Sequence, residues 1–150
     1  MPLSESKQYK TTKGFYLSSA VWMVAGTLAG LIGAVELVAP DLLGNIPWLV
    51  FGRIRQVHTT LVMFGFVGSG LLGGAHYLVP TLVRTPLFSE WIGRATVWLW
   101  NLALTAGVIT LSMGHTQNRE YAELIWPIDM GVLLVLGLIF YNLIQTLRHR

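Results

Sequence analysis

The sequence predicts an all-α polytopic membrane protein with four transmembrane helices. Three observations carry this. Of 150 residues, 53% are hydrophobic and only 11% charged. The ionisable residues fall in groups separated by long apolar runs. No stretch alternates apolar and polar residues at the period of two that a barrel strand requires. An ordinary soluble domain carries about 25% charged residues, so a chain this poor in charge could not cover a water-facing surface. The same composition excludes intrinsic disorder, and the lack of cysteine excludes a disulfide framework. A net charge of +3 is not gathered into a patch, so no nucleic-acid partner is expected; the lipid bilayer is.

A helix rising 1.5 Å per residue needs about 20 mostly apolar residues to cross the hydrocarbon. Between Lys13 and Asp41 the only ionisable acid or base is Glu36. Between Arg55 and Arg84 lie 28 residues in which only His58 and His76 titrate near neutrality. From Arg94 to Arg119 there are 24 residues with one histidine, His115, and from Asp129 to Arg148 there are 18 with none. These runs predict spans at 15–39, 57–83, 95–117 and 128–147, the last started at the interface by Trp126 and Pro127. The predicted organisation is an N-terminal segment 1–14, a four-helix domain 15–147 and a short end 148–150. The first apolar run is too long for a removable signal peptide and lacks a small-residue cleavage pattern close behind it. Glycines at Gly26 and Gly30, and at Gly70, Gly73 and Gly74, have the spacing that lets helix backbones approach, although glycine is common in membrane helices in general. Trp22, Trp48, Trp91 and Tyr121 read as interfacial aromatics.

Lysine and arginine set the orientation. Four crossings put both termini on one side, with Lys7, Lys10, Lys13, Arg84, Arg94, Arg148 and Arg150; the other side has Arg53, Arg55 and Arg119. Both termini are therefore expected in the cytoplasm. On the outer side this gathers Arg53, Arg55 and His58 at the start of span two, His115 at the end of span three, and Arg119, Glu120, Glu123 and Asp129 beyond it.

Histidine inside a span is costly without a partner, and its ring nitrogen is a common metal or haem ligand. A haem held by His58 could turn its propionates toward Arg53 and Arg55. Glu120 and Glu123, at i and i+3, could share a helical face; beside propionates such carboxylates need a cation between them, and calcium takes six to eight oxygens. The alternative is a solvated loop paired with Arg119. His76 lies 18 residues from His58, about 27 Å along the helix, too far to share a haem, and a hydrogen bond inside the bundle suits it. His115, at the depth of His58, makes an intrachain bis-histidine haem geometrically possible, whereas His149 sits at the solvated basic end. Glu36, about one turn inside the outer end of span one, either takes part in proton transfer or stays hydrated at the interface.

Two motifs carry a family resemblance. The segment FGRIRQVHTT, Phe51 to Thr60, is followed about sixty residues later by QNREYAELIWPID, Gln117 to Asp129. Together they resemble the N-terminal third of the catalytic subunit of cbb3-type cytochrome c oxidases, within the haem–copper oxidase superfamily that includes the nitric oxide reductases. The stretch ELVAPDL, Glu36 to Leu42, resembles the end of that subunit's first helix.

The resemblance implies a twelve-helix bundle completed by another chain. It implies that His58 is one axial ligand of low-spin haem b, the second coming from that other chain. It implies calcium at Glu120, proton handling at Glu123 and, as a looser match, Arg55 near the propionates. His115 falls where the family has no histidine ligand. The copper-binding histidines and the ligand of the high-spin haem belong to later helices, so no catalytic residue is expected here. The implied role is part of a split catalytic subunit of a respiratory oxidoreductase in a bacterial or archaeal cytoplasmic membrane, with a c-type cytochrome as donor. A nitric oxide reductase is the near alternative. EYAELIWPID, Glu120 to Asp129, leans toward the oxidase, and Tyr141 with Asn142 decides little. A non-catalytic haem-b or quinol-binding protein, or an accessory one, is the third reading.

Overall fold

Four helices account for most of the protein, and a computed structural model describes residues 9–43, 46–117, 119 and 122–149. They are α1, Lys10–Val38; α2, Phe51–Val83; α3, Glu90–Ser112; and α4, Trp126–Arg148. The shortest have 23 residues, about 34 Å of helix, so all four are long and apolar enough to cross a membrane. This is the four-span, all-α architecture expected from the charge pattern.

The boundaries differ from the apolar runs in an instructive way. α1 begins at Lys10, five residues ahead of the run, because Thr11 docks on Glu90: its backbone N–H and hydroxyl both donate to Glu90 Oε2, at 3.2 and 2.8 Å. α3 starts at Glu90 and ends at Ser112, ahead of the expected 95–117 at both ends. Its start is fixed by Ser89, whose hydroxyl accepts the Ile92 N–H at 3.2 Å, with Glu90 complementing the positive helix end. Its end is fixed by Gly114, whose φ of +89° disfavours a side chain. His115 therefore lies in the loop after α3 and does not close the span. α2 begins at Phe51, so His58 sits in its third turn. It carries a π-helical stretch over Leu61–Gly68. Pro127 in the first turn of α4 loses nothing, because that N–H would have no partner in the helix.

The antiparallel seam between α1 and α2 is built on small residues. A Cβ at Gly26 would come within 3.2 Å of Val62 Cγ2, and one at Gly73 within 3.2 Å of Phe15 Cβ, so those spaced glycines do mark close approach; Gly65, outside that spacing, is tighter still, 2.7 Å from Trp22 Cβ. Polar side chains pin the helices together: Trp22, expected at the interface, lies well inside α1, where its Nε1 donates to Asn101 Oδ1 (2.7 Å), and Trp100 Nε1 donates to Ser69 Oγ (3.0 Å). Two apolar clusters fill the bundle. One, around Phe15, Trp100, Leu104 and Ile139, serves the half holding the chain termini; the other, Ala29, Ile54, Val57, Leu61, Leu111 and Leu124, underlies the opposite half. The outward faces carry large exposed apolar side chains, among them Leu17, Leu28, Leu71 and Leu133, as a surface facing lipid or other membrane helices must.

Candidate functional site

The second cluster supports the residues that carry chemistry. Burial of Ile54, Val57 and Leu61 on one face of α2 fixes the rotation of that helix. His58 consequently packs against α1. Its Nδ1 lies 2.8 Å from the carbonyl oxygen of Gly26. A carbonyl only accepts, so Nδ1 bears the proton in this contact and Nε2 of the neutral ring keeps the lone pair. Gly30 makes room for the ring: a Cβ there would lie 2.7 Å from His58 Cε1.

One turn before His58, Arg55 reaches the loop between α3 and α4. Its Nη2 is 3.3 Å from Glu123 Oε1, with side-chain exposures of 40% for the arginine and 4% for the glutamate. The Thr59 hydroxyl stands 3.5 Å from Glu123 Oε2, and also 3.0 Å from the Arg55 carbonyl and 3.1 Å from that of Gln56. Its single hydrogen serves one of these at a time. The loop is tied down by Gln117. Its Nε2 donates to the Leu124 carbonyl and, at 2.7 Å, to Asp129 Oδ2 in the first turn of α4. A cavity of about 290 Å³ lies beside this loop, with Thr59, Phe64 and Val132 on its walls and Glu123 and Asp129 as its acids.

The remaining predicted residues distribute as follows. Arg53 Nη1 donates to the Ser112 carbonyl at 3.2 Å, securing the end of α3. Glu36 is half-buried in the last turn of α1. Glu120 and Tyr121 lie outside the described residues. Among the described residues no three His, Asp or Glu side chains converge on a metal-sized site. His115 is exposed. His76 is buried, 5.3 Å from Phe15 in a stacked arrangement, with Nδ1 2.8 Å from the Leu72 carbonyl; its Nε2 has no hydrogen-bond partner among the described residues. His149 stacks on Phe88 at 5.4 Å.

The structure thus brings Arg55 and Glu123 together and places His58 one turn away on the same helix. Reading residues one at a time missed Thr59, Gln117 and the cradle of Gly26 and Gly30. Of these only the glycine pair, one turn apart, left a sequence signal.

Fold and site together define an α-helical integral membrane protein with a paired arginine and glutamate one turn from a helix-packed histidine at one end of a four-span bundle. The chain belongs to the family described as cytochrome c and quinol oxidase polypeptide I, whose model matches residues 10–150, and this is an oxidoreductase family. It is 36% identical over 132 residues to the cbb3-type cytochrome c oxidase subunit CcoN1 of Stutzerimonas stutzeri, covering 88% of this chain and 28% of that protein. It is 37% identical over 120 residues to a cytochrome c oxidase subunit 1 homolog of Agrobacterium tumefaciens, covering 79% and 22%. A more distant relative is a nitric oxide reductase subunit of Stutzerimonas stutzeri, 26% identical over 153 residues, covering 90% and 31%. The chain therefore spans between about a fifth and a third of the length of these relatives. Bacterial relatives and four spans point to a bacterial inner membrane, and the family implies haem cofactors.

Proposed function

We propose that this chain forms the N-terminal four-helix portion of a cbb3-like oxidase catalytic unit and that His58 supplies one axial ligand of its low-spin haem b. The observation that carries the reading is the His58 ring, with Nδ1 engaged by the Gly26 carbonyl and Nε2 left as the nitrogen that can bind iron. Gly30 leaves that ring its place, and Arg55 and Arg53 put positive charge at the end of the bundle where propionates would lie. Haem b, when bound, carries single electrons toward the oxygen-reducing centre.

Glu123 is assigned to proton handling, with Arg55 and Thr59 holding its carboxylate, and Glu36 is a second group for that role at the same end. Glu120 is assigned to calcium. Both termini face the cytoplasm, flanking a four-helix domain that runs from Lys10 to Arg148. The other helices of a twelve-helix bundle come from polypeptide beyond these residues, in the split arrangement from a second chain. That chain brings the second axial ligand, the high-spin haem and copper, and a c-type cytochrome donates the electrons.

A nitric oxide reductase is the second reading, favoured by the relative that aligns over 90% of this chain. The higher identity to the oxidase subunits places it behind. Purification of the chain with its membrane partners tests both readings. The oxidase reading expects b-type haem, calcium, copper and oxygen reduction in one complex. Non-haem iron with nitric oxide reduction would select the reductase, and a complex without haem would refute both.

A further inference from the structure

At the end of the bundle remote from His58 and Glu123, a second groove of about 480 Å³ runs along the seam of α1 and α3. The two helices run in the same direction here, since Thr11 meets Glu90 near their starts and Trp22 meets Asn101 farther along. Lys10 and Arg94, both exposed, stand at the mouth, and Leu17, Val21 and Trp98 line the path inward. From Lys10 to Trp22 is about 18 Å of helix, close to the 15 Å or so of hydrocarbon in one leaflet.

The groove asks for a ligand that is charged at one end only. Its floor has no unmet polar group: Asn101 Oδ1 accepts from Trp22, and Asn101 Nδ2 reaches Ser18 Oγ and the Val97 carbonyl, each at 2.8 Å. The nearby acid, Glu90, is engaged by both donors of Thr11, so among the described residues the mouth has two cations against one occupied carboxylate. Arg94 also lies between Trp91 and Trp98, which are 72% and 79% exposed, with a further hollow of about 290 Å³ against these side chains. Exposed tryptophan on a membrane helix belongs at the level of the lipid headgroups.

We propose that this groove is a binding site for an anionic phospholipid, its phosphate between Lys10 and Arg94 and one acyl chain lying along α1 and α3 toward Asn101. A membrane helix from another polypeptide would bury both cations and would need its own acid to match them. An anionic phospholipid supplies the charge and the hydrocarbon in one molecule. A zwitterionic lipid would add a third cation to the mouth. The site is independent of the His58 assignment.

The test uses the full chain with its native partners in nanodiscs doped with phosphatidylglycerol or phosphatidylcholine brominated on the acyl chain. Bromine quenches tryptophan on contact, and the Trp98 share of the emission is defined by its loss in Trp98→Phe. The expected result is stronger quenching of that share by phosphatidylglycerol. The preference should fall about fivefold in each of Lys10→Gln and Arg94→Gln, and vanish in the double variant. Equal quenching by both lipids, a preference that survives both substitutions, or no quenching because protein covers the face would each overturn the proposal.

Discussion

Gly30→Ala is the sharpest perturbation of the His58 cradle. The added Cβ would lie 2.7 Å from His58 Cε1 and 2.8 Å from Nδ1. Carbon atoms in contact prefer about 3.5–4.0 Å, so the ring must retreat by roughly 0.8 Å or change rotamer. Either movement strains or breaks the 2.8 Å contact of Nδ1 with the Gly26 carbonyl. Overpacking costs about 1–3 kcal/mol, and the lost hydrogen bond about 1 kcal/mol more. The matched control is Gly131→Ala in α4, where nothing lies within 4 Å of the new Cβ. Thermal unfolding of the purified assembly should show Gly30→Ala destabilised by about 2–4 kcal/mol and Gly131→Ala nearly unchanged. The low-spin haem b band of the reduced-minus-oxidised spectrum should weaken in the first variant alone. If the two variants behaved alike in both measurements, the packing of His58 on Gly30 would be refuted.

Three further substitutions separate the parts of the account. Glu123→Gln keeps the shape but removes the charge facing Arg55; because the arginine is 40% exposed and can recover water, the expected loss is about 1–2 kcal/mol in thermal unfolding, with turnover falling more than stability. Asn142→Leu deletes both bonds to the Ser89 backbone, each 3.0 Å, and leaves that N–H without its partner; a loss of about 2 kcal/mol by denaturant titration is expected, and no loss would show that the tie is dispensable. His76→Phe keeps the stack on Phe15 and removes a buried nitrogen without a partner among the described residues, so stability should hold or rise and haem content stay constant; loss of haem would assign His76 a ligand role.

The four spans were legible because charge is scarce enough for its positions to outline them. The ends of α1 and α3 were less so. Ser89 and Gly114 decide α3 through a cap and a positive φ, and apolar counting registers neither. His58 was visible as a residue type at one end of a span. What sets its tautomer is the carbonyl of Gly26, 32 positions earlier, and a backbone oxygen carries no signature in sequence. Arg55 and Glu123 were placed on the same side of the membrane by span counting. Their pairing across 68 positions depends on how the loop folds over α2. The role of Gln117 in anchoring that loop was hidden for the same reason. The π-helical stretch over Leu61–Gly68 has no simple residue pattern, because it is a shift in backbone hydrogen-bond spacing and not a change of side-chain type.

The central claim is that Nε2 of His58 binds the iron of a low-spin haem b. Low-temperature electron paramagnetic resonance of the oxidised complex, wild type against His58→Ala, measures it at the metal itself. The account predicts that the low-spin b signal is lost or converted to high spin while the signals of other centres persist. A low-spin b signal unchanged in position and amplitude in His58→Ala would contradict it.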